Sequence, residues 1–245
     1  MGKYKNKERG TRDEGQGLNL RRQKVFLWFV ASLLVLCSGS FLAALHYPGG
    51  YDWVYTVASA LASQKHNPAG SFWFACALVV AMALLWPYVS ALKQARHPTF
   101  PAAEKFAIAA LRTGLICGAL LGLERLLIHN LSDWVYKAHE FLGLLTFLGL
   151  YSGILALLVL AMHRQRIYAF PVLMIASPLL AIGVTQFWLY LEQRDLGWVD
   201  ISWREMGIPF WFSLAFWQWF AIGFLWLGLG LLWFTQRNSY DRPAA

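Results

Sequence analysis

Ionisable side chains cluster near a short polar turn between two long apolar segments. In chain order they are Glu124, Arg125, His129, Asp133, His139 and Glu140. An ionisable group at the centre of a membrane-spanning helix costs about 2.5–3.5 kcal/mol, so a chain that keeps several together is expected to pair, hydrate or use them. Two chemistries suit these residue types: metal ligation with a general base, or binding of a phosphate headgroup by cations.

The metal hypothesis requires three imidazole or carboxylate ligands and a base near one membrane face. The candidates are His46, His129, His139, Glu124, Glu140 and Asp52. They would make the chain a metal-dependent membrane hydrolase or transferase acting on lipid. The sequence contains no HExxH or other dense ligand spacing. We therefore expect no metal site and no cofactor, with His46, His129 and His139 as the candidate ligands should a metal bind.

The second hypothesis is non-catalytic. Arg125, His129 and Lys137 would contact a phosphate headgroup, and the protein would bind or sense lipid or organise other membrane proteins. A third interpretation is structural, with Glu124 pairing a basic neighbour and His139 bonding a backbone carbonyl. A small-solute transporter or structural subunit stays open as well. Membrane lipids are the expected partners, and a homo-oligomer or other membrane proteins stay open.

The two apolar segments, 106–128 and 136–162, are expected to form a tightly packed helical hairpin. At about 100° per residue, Gly114, Gly118 and Gly122 share a stripe that lets helix backbones approach closely. Arg125 and His129 lie above that stripe, whereas Glu124 is expected to meet another helix. The second helix has a matching stripe: His139, Gly143, Thr146, Gly149 and Gly153. Arg125, His129 and His139 are therefore expected to meet at the mouth of the helix pair.

Composition places the chain in the membrane. Its 245 residues are 58% hydrophobic and only 14% charged, with 13 Trp and a net charge of +8. Apolar runs of about 18 residues or more indicate membrane spans. The basic residues sit in short segments between these runs, which argues against nucleic-acid binding. The predicted fold is an all-α polytopic integral membrane protein, a six-helix bundle with outer loops that cap one face.

Six apolar runs define the predicted membrane domain, 25–236. The expected spans are 25–45, 72–92, 106–128, 136–162, 167–191 and 208–234. Residues 1–24 are predicted to be a basic, disordered cytoplasmic tail, and residues 237–245 a short cytoplasmic tail. With the amino terminus inside, fifteen Lys and Arg residues fall on the cytoplasmic side and five on the outer side. The positive-inside rule therefore predicts two cytoplasmic termini, with Arg112 left inside the third span and snorkelling.

Several short motifs carry a family resemblance. The first outer loop contains Tyr47-Pro48-Gly49, Asp52, Ser59-Ala60-Leu61-Ala62 and Asn67-Pro68-Ala69-Gly70, and the fourth span begins near Lys137-Ala138-His139-Glu140-Phe141-Leu142-Gly143. From residue 25 onward the chain resembles a family of bacterial six-span membrane proteins of unknown function, related to the eukaryotic DRAM and Frag-type proteins. The resemblance implies six helices, a capping outer loop and a bacterial inner membrane. The eukaryotic relatives are associated with membrane-lipid organisation and autophagy, so we expect a lipid-binding or membrane-organising role.

Overall fold

The computed structural model describes residues 2–94, 100–127, 132–193 and 207–240. These residues form six long helices and no strand within the described ranges. The helices are α1 (Gly2–Leu45), α2 (Ser71–Gln94), α3 (Pro101–Leu127), α4 (Ser132–Arg164), α5 (Ala169–Gln193) and α6 (Leu214–Tyr240). Short 3-10 helices at Ala58–Ala62, Arg166–Tyr168 and Phe210–Phe212 lie in the connections.

All six helices contain a segment long and apolar enough to cross a membrane. These segments are Gln23–Leu45, Ser71–Leu92, Pro101–Leu127, Ala138–Arg164, Arg166–Glu192 and Leu214–Thr235. The predicted fold class, an all-α bundle of six membrane-spanning helices, is confirmed. The chain is a multi-pass membrane protein. Six crossings by the described helices place the start of α1 and the end of α6 on one side, here called the terminal face; the opposite side is the loop face.

Several helix boundaries differ from those expected, and those at the start of the last and the first helix have an identifiable cause. The last helix begins at Leu214 rather than at residue 208, because Pro209 adopts an extended conformation and a 3-10 turn follows it. The first helix begins at Gly2 and runs without a break into the first span, whereas a disordered segment was predicted over residues 1–24. Extending an existing helix requires no new nucleation, because each further residue gains one backbone hydrogen bond as its own dihedral angles are fixed.

Helix order follows the chain. Consecutive helices from α1 to α4 pack against one another as antiparallel neighbours, and α5 packs against α6. Two buried tyrosines join α6 to the first four helices. Tyr88 on α2 donates to the carbonyl of Leu229 on α6, and Tyr151 on α4 donates to the carbonyl of Ala221 on α6, 2.9 Å away. Since a buried hydroxyl without a partner is costly, these bonds fix α6 against α2 and α4.

Glycines set how closely α3 approaches its neighbours. A Cβ added to Gly149 on α4 would lie 2.7 Å from the backbone nitrogen of Gly114 and 2.8 Å from the carbonyl oxygen of Ala110. The stripe on α3 is shared between two partners: Gly114 meets Leu150 on α4, whereas Gly122 meets α2. Residues four apart on a helix are displaced by about 40°, so eight residues turn the contact by about 80°.

Candidate functional site

Three ionisable side chains meet where α3 ends and α4 begins, on the loop face. Arg125 Nε donates to His139 Nδ1 at 2.9 Å, and Glu124 Oε2 lies 3.2 Å from the same nitrogen and 3.4 Å from Arg125 Nε. Glu124 and His139 are buried, and Arg125 is nearly so. Although Glu124 and Arg125 are sequence neighbours about 100° apart, their long side chains converge on His139. Glu124 therefore meets α4 together with Arg125, rather than a different helix.

The hydrogen bonds among Glu124, Arg125 and His139, here called the triad, depend on which ring nitrogen of His139 carries the proton. A nitrogen that accepts the Arg125 N–H carries no hydrogen of its own, so His139 is then neutral with its proton on Nε2. If Nδ1 were protonated, it would instead donate to Glu124 Oε2. Because the Arg125 N–H can only donate, its 2.9 Å contact with His139 Nδ1 is a hydrogen bond only in the first arrangement. In that state Nε2–H is the ring donor left for a further partner, and Glu124 balances the charge of Arg125.

A cavity of about 1150 Å³ lies beside the triad, between α1, α2, α4 and α6. Its wall is mostly apolar, and Arg125 is the one cationic side chain among the described lining residues. On α1 the lining runs from Phe26 to Phe41, about 22 Å at 1.5 Å per residue, well over half the hydrocarbon thickness of a bilayer. Arg125, His139 and Glu140 line its loop-face end.

Packing between α1 and α6 is sparse, which leaves room for the cavity. Near the terminal face the two helices meet through aromatic contacts, Phe26 with Trp233 at 5.5 Å and Phe29 with Trp226 at 5.9 Å between ring centroids. Toward the loop face, Cys37 and Phe41 line the cavity and are also exposed at the surface. The cavity is therefore open to the surroundings rather than sealed within the core.

The loop between α1 and α2 fastens to α6 at the loop-face end of the cavity. The backbone N–H of Ala58 donates to Gln218 Oε1 at 2.9 Å, and the Trp219 indole donates to the Tyr51 hydroxyl at 3.0 Å. The rings of Trp53 and Trp219 lie 4.8 Å apart. Burial raises the pKa of the Tyr51 phenol above its usual range, so the hydroxyl stays protonated and donates to the Thr56 carbonyl.

Asn67 anchors the other end of this loop. Its side chain is fully buried and donates to the carbonyls of Ala43 and Leu61, at 2.9 and 3.2 Å, while its oxygen accepts from the N–H of Gly70 at 3.1 Å. The loop is therefore tied to the end of α1 as well as to α6. The sequence predicts a turn and a family motif for this loop, and nothing in the spacing of its residues indicates a contact with α6.

The remaining predicted site residues fall in different places. Glu140 lines the cavity and is exposed. Asp52 uses a carboxylate oxygen within its own turn, accepting from the N–H groups of Val54 and Tyr55. His46 Nδ1 donates to the carbonyl of Leu42 at 2.8 Å. His129 lies outside the described residues.

The described residues contain no group of three or more His, Cys, Asp or Glu side chains placed to hold a metal ion. The two described candidates do not come together as a ligand set, because His46 bonds its own helix end and His139 bonds Arg125. Comparisons of the chain with protein-family models, with characterised proteins and with solved structures give no match.

Proposed function

We propose that this protein binds a membrane lipid in the cavity between α1, α2, α4 and α6, and that its role is lipid binding or membrane organisation rather than catalysis. The lipid's apolar chain would lie along the cavity wall. Its phosphate headgroup would lie near Arg125 and His139, at the loop face. The cavity is the observation that carries this proposal.

The size of the cavity supports an occupant. At about 1150 Å³ the cavity is larger than typical small-molecule pockets, which measure about 300–1,000 Å³. Its lining follows α1 for about 22 Å, which is long enough to accommodate a lipid chain. Because the wall is apolar and open at the surface, lipid hydrocarbon is a better match for it than water.

The polarity of the loop-face end supports a lipid with a polar headgroup. Arg125 supplies a fixed charge with a forked donor geometry that suits a phosphate. His139 offers its Nε2–H when Nδ1 accepts from Arg125. Glu140, on the same wall, would meet the ammonium of a zwitterionic headgroup.

The orientation in the membrane is part of the proposal. With fifteen Lys and Arg residues on the side of the termini against five on the other, the terminal face would be cytoplasmic. The lipid headgroup would then belong to the outer leaflet. The resemblance to DRAM- and Frag-related proteins points toward the same class of function, lipid organisation.

The direct test blocks the cavity without disturbing the helix contacts. Gly143 and Gly223 line the cavity, and a Cβ added to either would meet nothing within 4 Å. Gly183 on α5 has the same open surroundings but does not line the cavity, so Gly183→Phe is the matched control. Each variant would be released from mild detergent into a native mass spectrometer, which reports retained lipid, bound metal and oligomeric state.

We expect Gly143→Phe and Gly223→Phe to lose a lipid that the wild type and Gly183→Phe retain. Equal lipid retention in all four proteins would contradict the proposal, as would a stoichiometric metal that is lost in His139→Ala. Cys37 provides an independent readout, because it lines the cavity. A membrane-soluble maleimide should label it faster after delipidation, while buried Cys117 stays unlabelled.

A further inference from the structure

Arg112 is a charged residue that lies inside the third membrane span and away from the cavity. Its guanidinium carbon lies 5.3 Å from the centroid of the Trp86 ring on α2. Its Nε is buried and has no hydrogen-bond partner. Arg112 belongs to none of the ion pairs among the described residues, whose acidic members are Glu104 and Glu124.

This combination leaves the charge of Arg112 only partly compensated. A cation over an aromatic ring gains about 0.5–2 kcal/mol, whereas a charged side chain in a span costs about 2.5–3.5 kcal/mol. The guanidinium N–H donors require oxygen acceptors, and no acidic side chain of the described chain supplies them.

The direction of the side chain shows where those acceptors would be. Helical side chains lean toward the amino-terminal end of their helix, and α3 begins at the terminal face. Arg112 therefore leans toward that face. Lys105 lies seven residues earlier, about two turns closer to the terminal face and on nearly the same side of α3, and is exposed.

The surroundings are apolar and face outward. Trp86 is 41% exposed and Ile116, one turn further along α3, is 49% exposed, so both lie on the surface that meets lipid. Cations stacked above an exposed apolar strip match an amphiphile with an anionic phosphate and hydrocarbon chains. We propose that the outward-facing surface of α2 and α3 binds an anionic phospholipid of the terminal-face leaflet, with its phosphate held by Arg112 and Lys105 beside Trp86.

This site is distinct from the cavity, because Trp86, Lys105 and Arg112 do not line the cavity and lie toward the opposite leaflet. It also differs from simple snorkelling, in which water or any headgroup would satisfy the guanidinium equally well. The proposal requires a preference for anionic over zwitterionic phospholipid, and it requires that the preference depend on Arg112 itself rather than on the net charge of the terminal face.

The test titrates phosphatidylglycerol and phosphatidylcholine into the detergent-solubilised full chain and counts bound lipids by native mass spectrometry. We expect Arg112→Ala to weaken phosphatidylglycerol binding about ten- to hundred-fold and to leave phosphatidylcholine binding unchanged. Arg112→Lys should retain part of the affinity, since the charge stays but the fork is lost. Arg166→Ala is the control, because Arg166 is an exposed cation at the same face.

Thermal unfolding separates a binding role from a structural one. Removing the charge lowers the free-energy cost of placing α3 in the membrane. Arg112→Ala should therefore be at least as stable as the wild type in phosphatidylcholine nanodiscs. In phosphatidylglycerol nanodiscs the wild type alone should gain stability. Unchanged phosphatidylglycerol affinity in Arg112→Ala, or an equal loss in Arg166→Ala, would overturn the proposal. Gly223→Phe should leave this site intact, which distinguishes it from the cavity.

Discussion

The closest approach between α3 and α4 gives the sharpest prediction, namely that Gly149→Ala destabilises the protein whereas Gly143→Ala does not. The two glycines lie on the same helix, six residues apart. A Cβ at position 149 would meet backbone atoms of Gly114 and Ala110 at 2.7–2.8 Å. A Cβ at position 143 would meet nothing within 4 Å. The same chemical change is therefore made in a crowded and in an open site.

The magnitude follows from comparing the two variants. Both gain the intrinsic helical advantage of Ala over Gly, about 0.8–1.0 kcal/mol, so this gain cancels in the difference. What remains is steric. Backbone atoms cannot rotate away, so the helices must separate by several tenths of an ångström, at a cost of about 1–3 kcal/mol for overpacking. For a chain of this length each kcal/mol shifts Tm by about 2–4 °C.

The assay uses a native thiol. Cys117 is buried on α3, so it reacts with a maleimide only when the bundle opens. In a background with Cys37 and Cys76 replaced by Ser, the temperature at which Cys117 becomes reactive reports unfolding. We expect it to fall in Gly149→Ala and to hold or rise in Gly143→Ala. If both variants unfold at the same temperature, the α3 and α4 backbones are not in contact at Gly149.

Three further changes test other parts of the chain. Asn67→Leu should lower the free energy of unfolding by about 2–4 kcal/mol, because it removes three hydrogen bonds from a fully buried site. The neighbouring His66 is exposed, so His66→Leu should be near neutral in the same unfolding assay. Glu124→Ala or His139→Ala should reduce lipid retention in native mass spectra more than Cys117→Ala; wild-type retention and Tm in both polar variants would refute a role for the triad. A cysteine at Ala69 should react with an impermeant reagent from outside intact cells and one at Ala95 should not; the reverse pattern would place the terminal face outside.

The number and type of helices follow directly from the sequence. Six apolar runs are long enough to cross a bilayer, and in lipid such runs have to be helical because no water bonds their backbone groups. The boundary at Leu214 was harder to predict, since Phe210, Trp211 and Phe212 are as apolar as the helix that follows. Hydropathy does not distinguish an aromatic 3-10 turn from the first turn of a span.

The meeting of Arg125 with His139 was predictable from local geometry, because a short turn joins the two helices that carry them. The contribution of the first loop was not. Gln218 accepts from Ala58 across 160 residues of chain, and Trp219 donates to Tyr51 across 168 residues. No periodicity links such residues, and both Gln218 and Trp219 fit an ordinary membrane helix. The contact follows only from the position of α6 beside the loop between α1 and α2.

The lack of a sequence signal for contacts between distant segments also explains why the glycine pattern could not locate the cavity. Gly143 and Gly149 belong to one predicted stripe, and the sequence assigned the same packing role to the whole stripe. In the structure Gly149 touches α3, whereas Gly143 faces the cavity that lies between α4, α1 and α6. A small residue marks either a close approach or an opening, and the difference is set by whether another helix is present. Bulky substitutions distinguish the two cases experimentally: they should destabilise the bundle at the first kind of glycine and displace lipid at the second.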